Sequence, residues 1–91
     1  MLSFDPDKNK KNIEKHGLAL ADAELFDFGR AIETTQNEEG EERIKAVGVW
    51  SREFLAVVVF VEYGEADKHI ISARRANRRE TEEYVREKSS S

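Results

Sequence analysis

The sequence predicts an α+β fold: two N-terminal helices, a four-stranded antiparallel β-sheet meander and a C-terminal helix. Three observations carry this. Helix punctuation brackets residues 5–17, the apolar period changes from three-and-four to two near residue 30, and Asn77 with Glu80 has the spacing of a capping box opening a last helix.

The first helix begins at "FDPD". Asp5 can accept backbone N–H groups as N-cap, and Pro6 suits the first helical position, whose N–H has no intrahelical partner. Gly17 closes it, because glycine takes the left-handed conformation cheaply, and Lys15 and His16 fall in the last turn, where the helix dipole favours cations. In "LALADAELFDF", Leu18, Ala21, Leu25 and Phe28 recur on one helical face, predicting a second short helix ended by Gly29.

Strands follow. "RAIETTQ" (30–36) is β-branched, and "NEEGEE" is a polar hairpin loop in which Gly40 can supply positive φ. In "RIKAVGVW" (43–50), Ile44, Ala46, Gly48 and Trp50 alternate with Arg43, Lys45, Val47 and Val49. After a turn at "SRE", the apolar run "FLAVVVFVEY" is the candidate for the centre of the sheet. "GEAD" turns the chain into "KHIISA" (68–73), the fourth strand, and the helices are expected on one face. Residues 1–88 read as one domain, with 89–91 a disordered tail.

A chain of 91 residues supports one modest core. It has no cysteine, so disulfide and thiolate chemistry are excluded. The N-terminal stretch lacks the apolar segment of a secretory signal, and the longest apolar run, 54–61, is too short to span a bilayer. Both features predict a cytoplasmic protein with no membrane partner.

Charge is unevenly placed. Four arginines occupy positions 74–79, and residues 68–79 carry a local charge of +5 in a chain of net charge −4. Part of this has a plain structural explanation, since Arg78–Glu82, Arg79–Glu83 and Glu82–Arg86 are i,i+4 pairs worth about 0.2–0.5 kcal/mol each. Arg74 and Arg75 escape it: the nearest following acid is Glu80. Arginine forks beside free N–H groups at a helix start would make a phosphate clamp of Arg74, Arg75, Arg78 and Arg79. A solvated ionic face competes evenly with that reading. His16 is read first as a dipole-matched helix end and His69 as structural, while Trp50 and Phe60 read as core. Neither a metal-ligand cluster nor a nucleotide-cofactor fingerprint is present, so no cofactor is expected.

Together, "KHG" (15–17) after an "FDP…N" helix start, "ERIKAVG" (42–48), the Val-rich strand and "IISARRAN" before Glu80 and Tyr84 resemble the BrnT family from about Phe4 to Arg86. These are small bacterial ribonuclease toxins of type II toxin–antitoxin systems with a RelE-like fold. The resemblance implies metal-independent endoribonuclease activity on RNA. It also implies neutralisation by a BrnA-like ribbon-helix-helix antitoxin, with operator DNA contacted only through the complex. The matching polar residues are Lys15, His16, Arg43, Ser72, Arg74, Arg75, Glu80 and Tyr84. Where relatives often carry Ser as N-cap of the second helix, Ala19 stands here and cannot cap, a loss of about 1 kcal/mol.

Metal-free cleavage needs a base for the ribose 2′-OH, cations for the phosphorane and an acid for the departing 5′-oxygen; fixed positive charge contributes most. The expected assignment gives the phosphorane to Arg74 and Arg75 with Arg43 nearby, and proton transfer to His16, shared with Lys15 or Glu80. Tyr84 orients substrate or donates a proton. His16, Arg43, Arg74, Arg75 and Tyr84 are expected to converge on one concave surface. The competing reading is a non-catalytic module whose arginine clamp holds nucleic acid or an acidic protein.

Overall fold

Both ends of the first helix are chemically marked, and the chain folds accordingly. In the computed structural model, which describes residues 1–64 and 66–90, α1 spans Pro6–His16. The Asp5 carboxylate accepts the N–H groups of Asp7 at 2.8 Å and Lys8 at 3.3 Å. Gly17 ends the helix at φ +76°, donating its N–H to Ile13.

The predicted second helix is replaced by two 3-10 turns, Leu20–Leu25 and Phe28–Arg30. Leu20, Ala23 and Phe26 point into the core, a strict three-residue period, whereas Ala21 and Leu25 are exposed. Ala19 offers no cap, as expected. Asn9 of α1 supplies one from outside, its Oδ1 accepting the N–H groups of Leu20 at 2.6 Å and Ala21 at 3.3 Å.

The sheet has five strands and is mixed, correcting the four-stranded antiparallel meander. β1 (Leu2–Phe4), β2 (Ile32–Glu38), β3 (Glu41–Trp50), β4 (Phe54–Tyr63) and β5 (Asp67–Arg75) lie in the order β1-β5-β4-β3-β2. β1 pairs parallel with β5, and Ser3 Oγ lies 2.9 Å from His69 Nδ1 across that pair. The remaining pairings are antiparallel, with β4 third of the five, the central position expected from its apolar run. Glu39 and Gly40 both have positive φ and form a two-residue turn between β2 and β3.

The core face of the sheet carries Ala46, Gly48 and Trp50 of β3, Ala56, Val58 and Phe60 of β4, and Ile70 and Ala73 of β5. Ile70 and Ala73 share that face although three residues apart, because a bulge re-phases the strand: Val59 pairs with Ser72 and Phe60 with Ile70, leaving Ile71 extra. Past the end of β1, Asn12 closes the edge of β5. Its side chain accepts from the Ala73 N–H (3.2 Å) and donates to the carbonyls of Ala73 (2.8 Å) and Leu18 (2.7 Å).

The last helix, α2 (Arg78–Ser89), opens with the expected capping box: Asn77 Oδ1 accepts the Glu80 N–H at 2.8 Å, and Glu80 Oε1 accepts the Asn77 N–H at 2.9 Å. It packs over the sheet face opposite the core, so helices cover both faces rather than one. Ser89 ends it and Ser90 caps it. Ser91, the end of the expected tail, and Glu65, within the expected "GEAD" turn, lie outside the described residues.

Candidate functional site

Strand alternation decides what the arginine segment does. β5 runs to Arg75, so consecutive residues at its end project to opposite faces. Arg75, paired in register with Ala56, shares the core-side face, and its guanidinium lies over the Phe54 ring, 3.9 Å from the centroid. Arg74, in register with Val57, emerges on the face that α2 covers. The expected pairing of the two guanidinium groups on one phosphate is therefore not formed.

Arg74 meets Glu80 in a two-pronged pair, Nη1 to Oε1 and Nη2 to Oε2, both at 2.8 Å. Lys45 of β3 adds its ammonium 3.0 Å from Glu80 Oε2. With the Asn77 N–H, four donors surround a buried carboxylate. The hydrogen bonds from Arg74, foremost, then from Asn77 and Lys45 outweigh the opposing cost of burial. They hold the Glu80 carboxyl down at about 2, against an ordinary 4.5. Glu80 thus stays ionised near neutrality and fixes two cations instead of exchanging protons.

Arg78 and Arg79 are exposed and pair along the helix with Glu82 (3.1 Å) and Glu83 (3.3 Å), as the i,i+4 spacing predicts. With Glu82 held by Arg78, the expected Glu82–Arg86 pair does not form. Arg43 lies near the β2–β3 turn, bound to Glu38 (3.1 Å) and Glu41 (3.2 Å).

Two grooves flank this cluster. The larger, about 500 Å³, runs between α2 and strands β2 and β3. Its charged lining is Lys45, Arg86, Glu80, Glu83 and Glu87, and Tyr84 opens onto it. Three carboxylates against two cations make it a poor seat for a polyanion. The smaller, about 210 Å³, lies between α1 and β5 and is lined by Lys8, Lys11, Asn12, Lys15, His16, Ile71 and Ser72. Its charged groups are all cationic, and it holds a titratable imidazole. The bulge at Ile71 turns Ser72 to the same sheet face as Arg74, two residues on.

Of the expected site residues, Lys15 and His16 share a groove with Ser72, and Arg74 stands two residues from Ser72 on the same strand face, fixed by Glu80. Tyr84 opens on the acidic groove, and Arg43, Arg75, Arg78 and Arg79 lie elsewhere.

The family model described as "Ribonuclease toxin, BrnT, of type II toxin-antitoxin system" matches residues 4–80. The chain belongs to the BrnT family. Among solved structures, the 1.1 Å crystal structure of the Brucella abortus ribonuclease toxin BrnT is similar, with a TM-score of 0.70 and 29% identity over 85% of this chain and 96% of that one. No curated protein matches the chain. As a BrnT member the chain is a toxin of a type II toxin–antitoxin system, a class defined by an antitoxin partner and, in this family, by ribonuclease activity.

For a BrnT toxin, three cations absent from the expected site gain importance. Lys45 stands two residues beyond Arg43 on the same side of β3, a signal already present in the strand alternation. Lys8 and Lys11 precede Lys15 at helical spacing, which puts all three along one side of α1.

Proposed function

We propose that this chain is a metal-independent endoribonuclease toxin of the bacterial cytoplasm whose reaction centre is the groove between α1 and β5. The observation that carries the reading is the placement of His16 and Lys15 across that groove from Ser72, with Arg74 adjacent on the same strand face. His16 takes the proton from the ribose 2′-OH, histidine being the side chain suited to proton transfer near neutral pH. The 2′-oxygen attacks the phosphorus, and Lys15 and Arg74 stabilise the pentacoordinate phosphorane. The Ser72 hydroxyl donates to a phosphate oxygen. The P–O5′ bond breaks, and the departing 5′-oxygen takes a proton from Lys15. The products are a 2′,3′-cyclic phosphate and a 5′-hydroxyl.

Glu80 contributes by position: its two-pronged pair fixes the orientation of the planar Arg74 guanidinium. Arg43, Arg75, Arg78, Arg79 and Tyr84 have no chemical role in this scheme. A binding module built on a clamp of several arginines is disfavoured because Arg75 lies over the Phe54 ring on the face away from Arg74, and Arg78 and Arg79 pair with Glu82 and Glu83. In the cell, a BrnA-like ribbon-helix-helix antitoxin neutralises the toxin, and operator DNA is reached through that complex.

Incubation of the pure protein with single-stranded RNA in EDTA tests the chemistry. The scheme requires cleavage with 5′-hydroxyl ends. Cleavage that depends on added divalent metal, or that leaves 5′-phosphate ends, would rule it out.

A further inference from the structure

The arginine segment is where an acidic chain concentrates its positive charge, yet the guanidinium groups there are occupied. Three are ion-paired with Glu80, Glu82 and Glu83, and Arg75 lies on an aromatic ring. The lysines of α1 differ. Lys8, Lys11 and Lys15 are exposed and make no ion pair among the described residues. All three line the groove that also holds His16 and Ser72. The acids of the same helix, Asp7 and Glu14, are not part of that lining. Between Lys8 and Lys15 the helix rises about 10 Å, the length of about three nucleotides of a stacked strand.

We infer that Lys8 and Lys11, continued by Lys15, form the track on which the phosphodiester backbone of single-stranded RNA lies as it enters the α1–β5 groove. The inference rests on the ribonuclease reading above and adds the binding surface to it. RNA is favoured over an acidic peptide because the track ends at an imidazole and a hydroxyl. Those groups suit a reacting phosphodiester, whereas a carboxylate side chain would find no use for them. The track also reconciles an acidic chain with a polyanionic substrate: the net charge is negative, while the charged side chains lining the groove are all cationic.

Variants at three lysines separate this surface from general electrostatics. Lys8→Ala, Lys11→Ala and their combination remove charge from the track, and Lys10→Ala removes the same charge from another side of the same helix. All are exposed positions where alanine favours the helix, so folding is retained. Binding is read with a fluorescent 2′-O-methyl oligoribonucleotide, which lacks the attacking hydroxyl and stays intact. Each phosphate that a lysine no longer neutralises lowers the slope of log affinity against log salt by about 0.7. The double variant is therefore expected to lose about 1.4 in slope and about 20-fold in affinity at ~0.1 M salt, with Lys10→Ala close to the parent. On cleavable RNA, KM rises and kcat holds.

An unchanged slope in the double variant, an equal loss in Lys10→Ala, or no RNA binding by the parent would overturn the track. So would lysine-dependent capture of a polyglutamate peptide in preference to RNA. Binding that depends on the lysines, in a parent protein that cleaves nothing, would support the track and sink the nuclease reading alone.

Discussion

Arg74 and Glu80 meet side by side, each guanidinium Nη 2.8 Å from one carboxylate oxygen, with the Lys45 ammonium 3.0 Å from Oε2. Six residues apart in sequence, they join the end of the last strand to the first turn of the last helix. The pair orders a cation that the proposed chemistry uses, and it ties α2 to the sheet.

That link makes stability sensitive to acid. The Glu80 carboxyl is held at about 2 in the folded chain and returns to an ordinary carboxylate value on unfolding. Its stabilisation is therefore complete above the unfolded range, near pH 4.5, and fades as pH falls toward 2. The contribution is on the order of 3 kcal/mol at most. Glu80→Gln is expected to lose about 1–3 kcal/mol at neutral pH, since Arg74 and Lys45 are left unpaired but partly solvated. Urea unfolding from pH 7 downward checks both: the parent should keep its advantage over the variant to about pH 4.5 and lose it progressively as pH falls from there toward 2.

Asn12 closes three backbone groups with one buried amide. Asn12→Ala leaves the Ala73 N–H and the carbonyls of Ala73 and Leu18 without partners, an expected loss of about 2–3 kcal/mol. Asn12→Asp should not rescue it, because a carboxylate cannot donate to either carbonyl. Amide hydrogen exchange at Ala73 should accelerate in both variants.

Gly48 is required by a close approach, not by a turn. A Cβ there would come within 3.0 Å of both Ala31 Cβ and Phe26 Cζ. Gly48→Ala should cost about 1–3 kcal/mol through displacement of Phe26 from Trp50, whose ring centroids are 6.4 Å apart. A lowered unfolding midpoint with altered tryptophan fluorescence would register it.

What the sequence disclosed is what local chemistry determines. Asp5, Pro6 and Gly17 mark α1, the alternation from Ile44 to Trp50 marks the buried side of β3, and Asn77 with Glu80 marks the start of α2. The misses came from terms the local pattern does not contain. β1 is three residues long and exists only through parallel pairing with β5, far away in the chain. The residues after Gly17 pack with period three, because the cap comes from Asn9 and the turn tightens to bury Leu20, Ala23 and Phe26. The bulge at Ile71 was likewise invisible, and it sets which of Ser72, Ala73 and Arg74 faces the core. A strand that ends at Ala73 would leave both arginines in the connection to the last helix, where they could aim together. The strand continues through Arg75, so they cannot.

The reaction centre proposed for the α1–β5 groove is tested most directly by the rate of RNA cleavage in EDTA, compared between His16→Gln and Arg75→Ala. Loss of proton transfer should lower the rate of the first about 100-fold or more. The second, whose guanidinium lies on Phe54 across the sheet, should cleave at the parental rate. Parental cleavage by His16→Gln together with a dead Arg75→Ala would contradict the assignment.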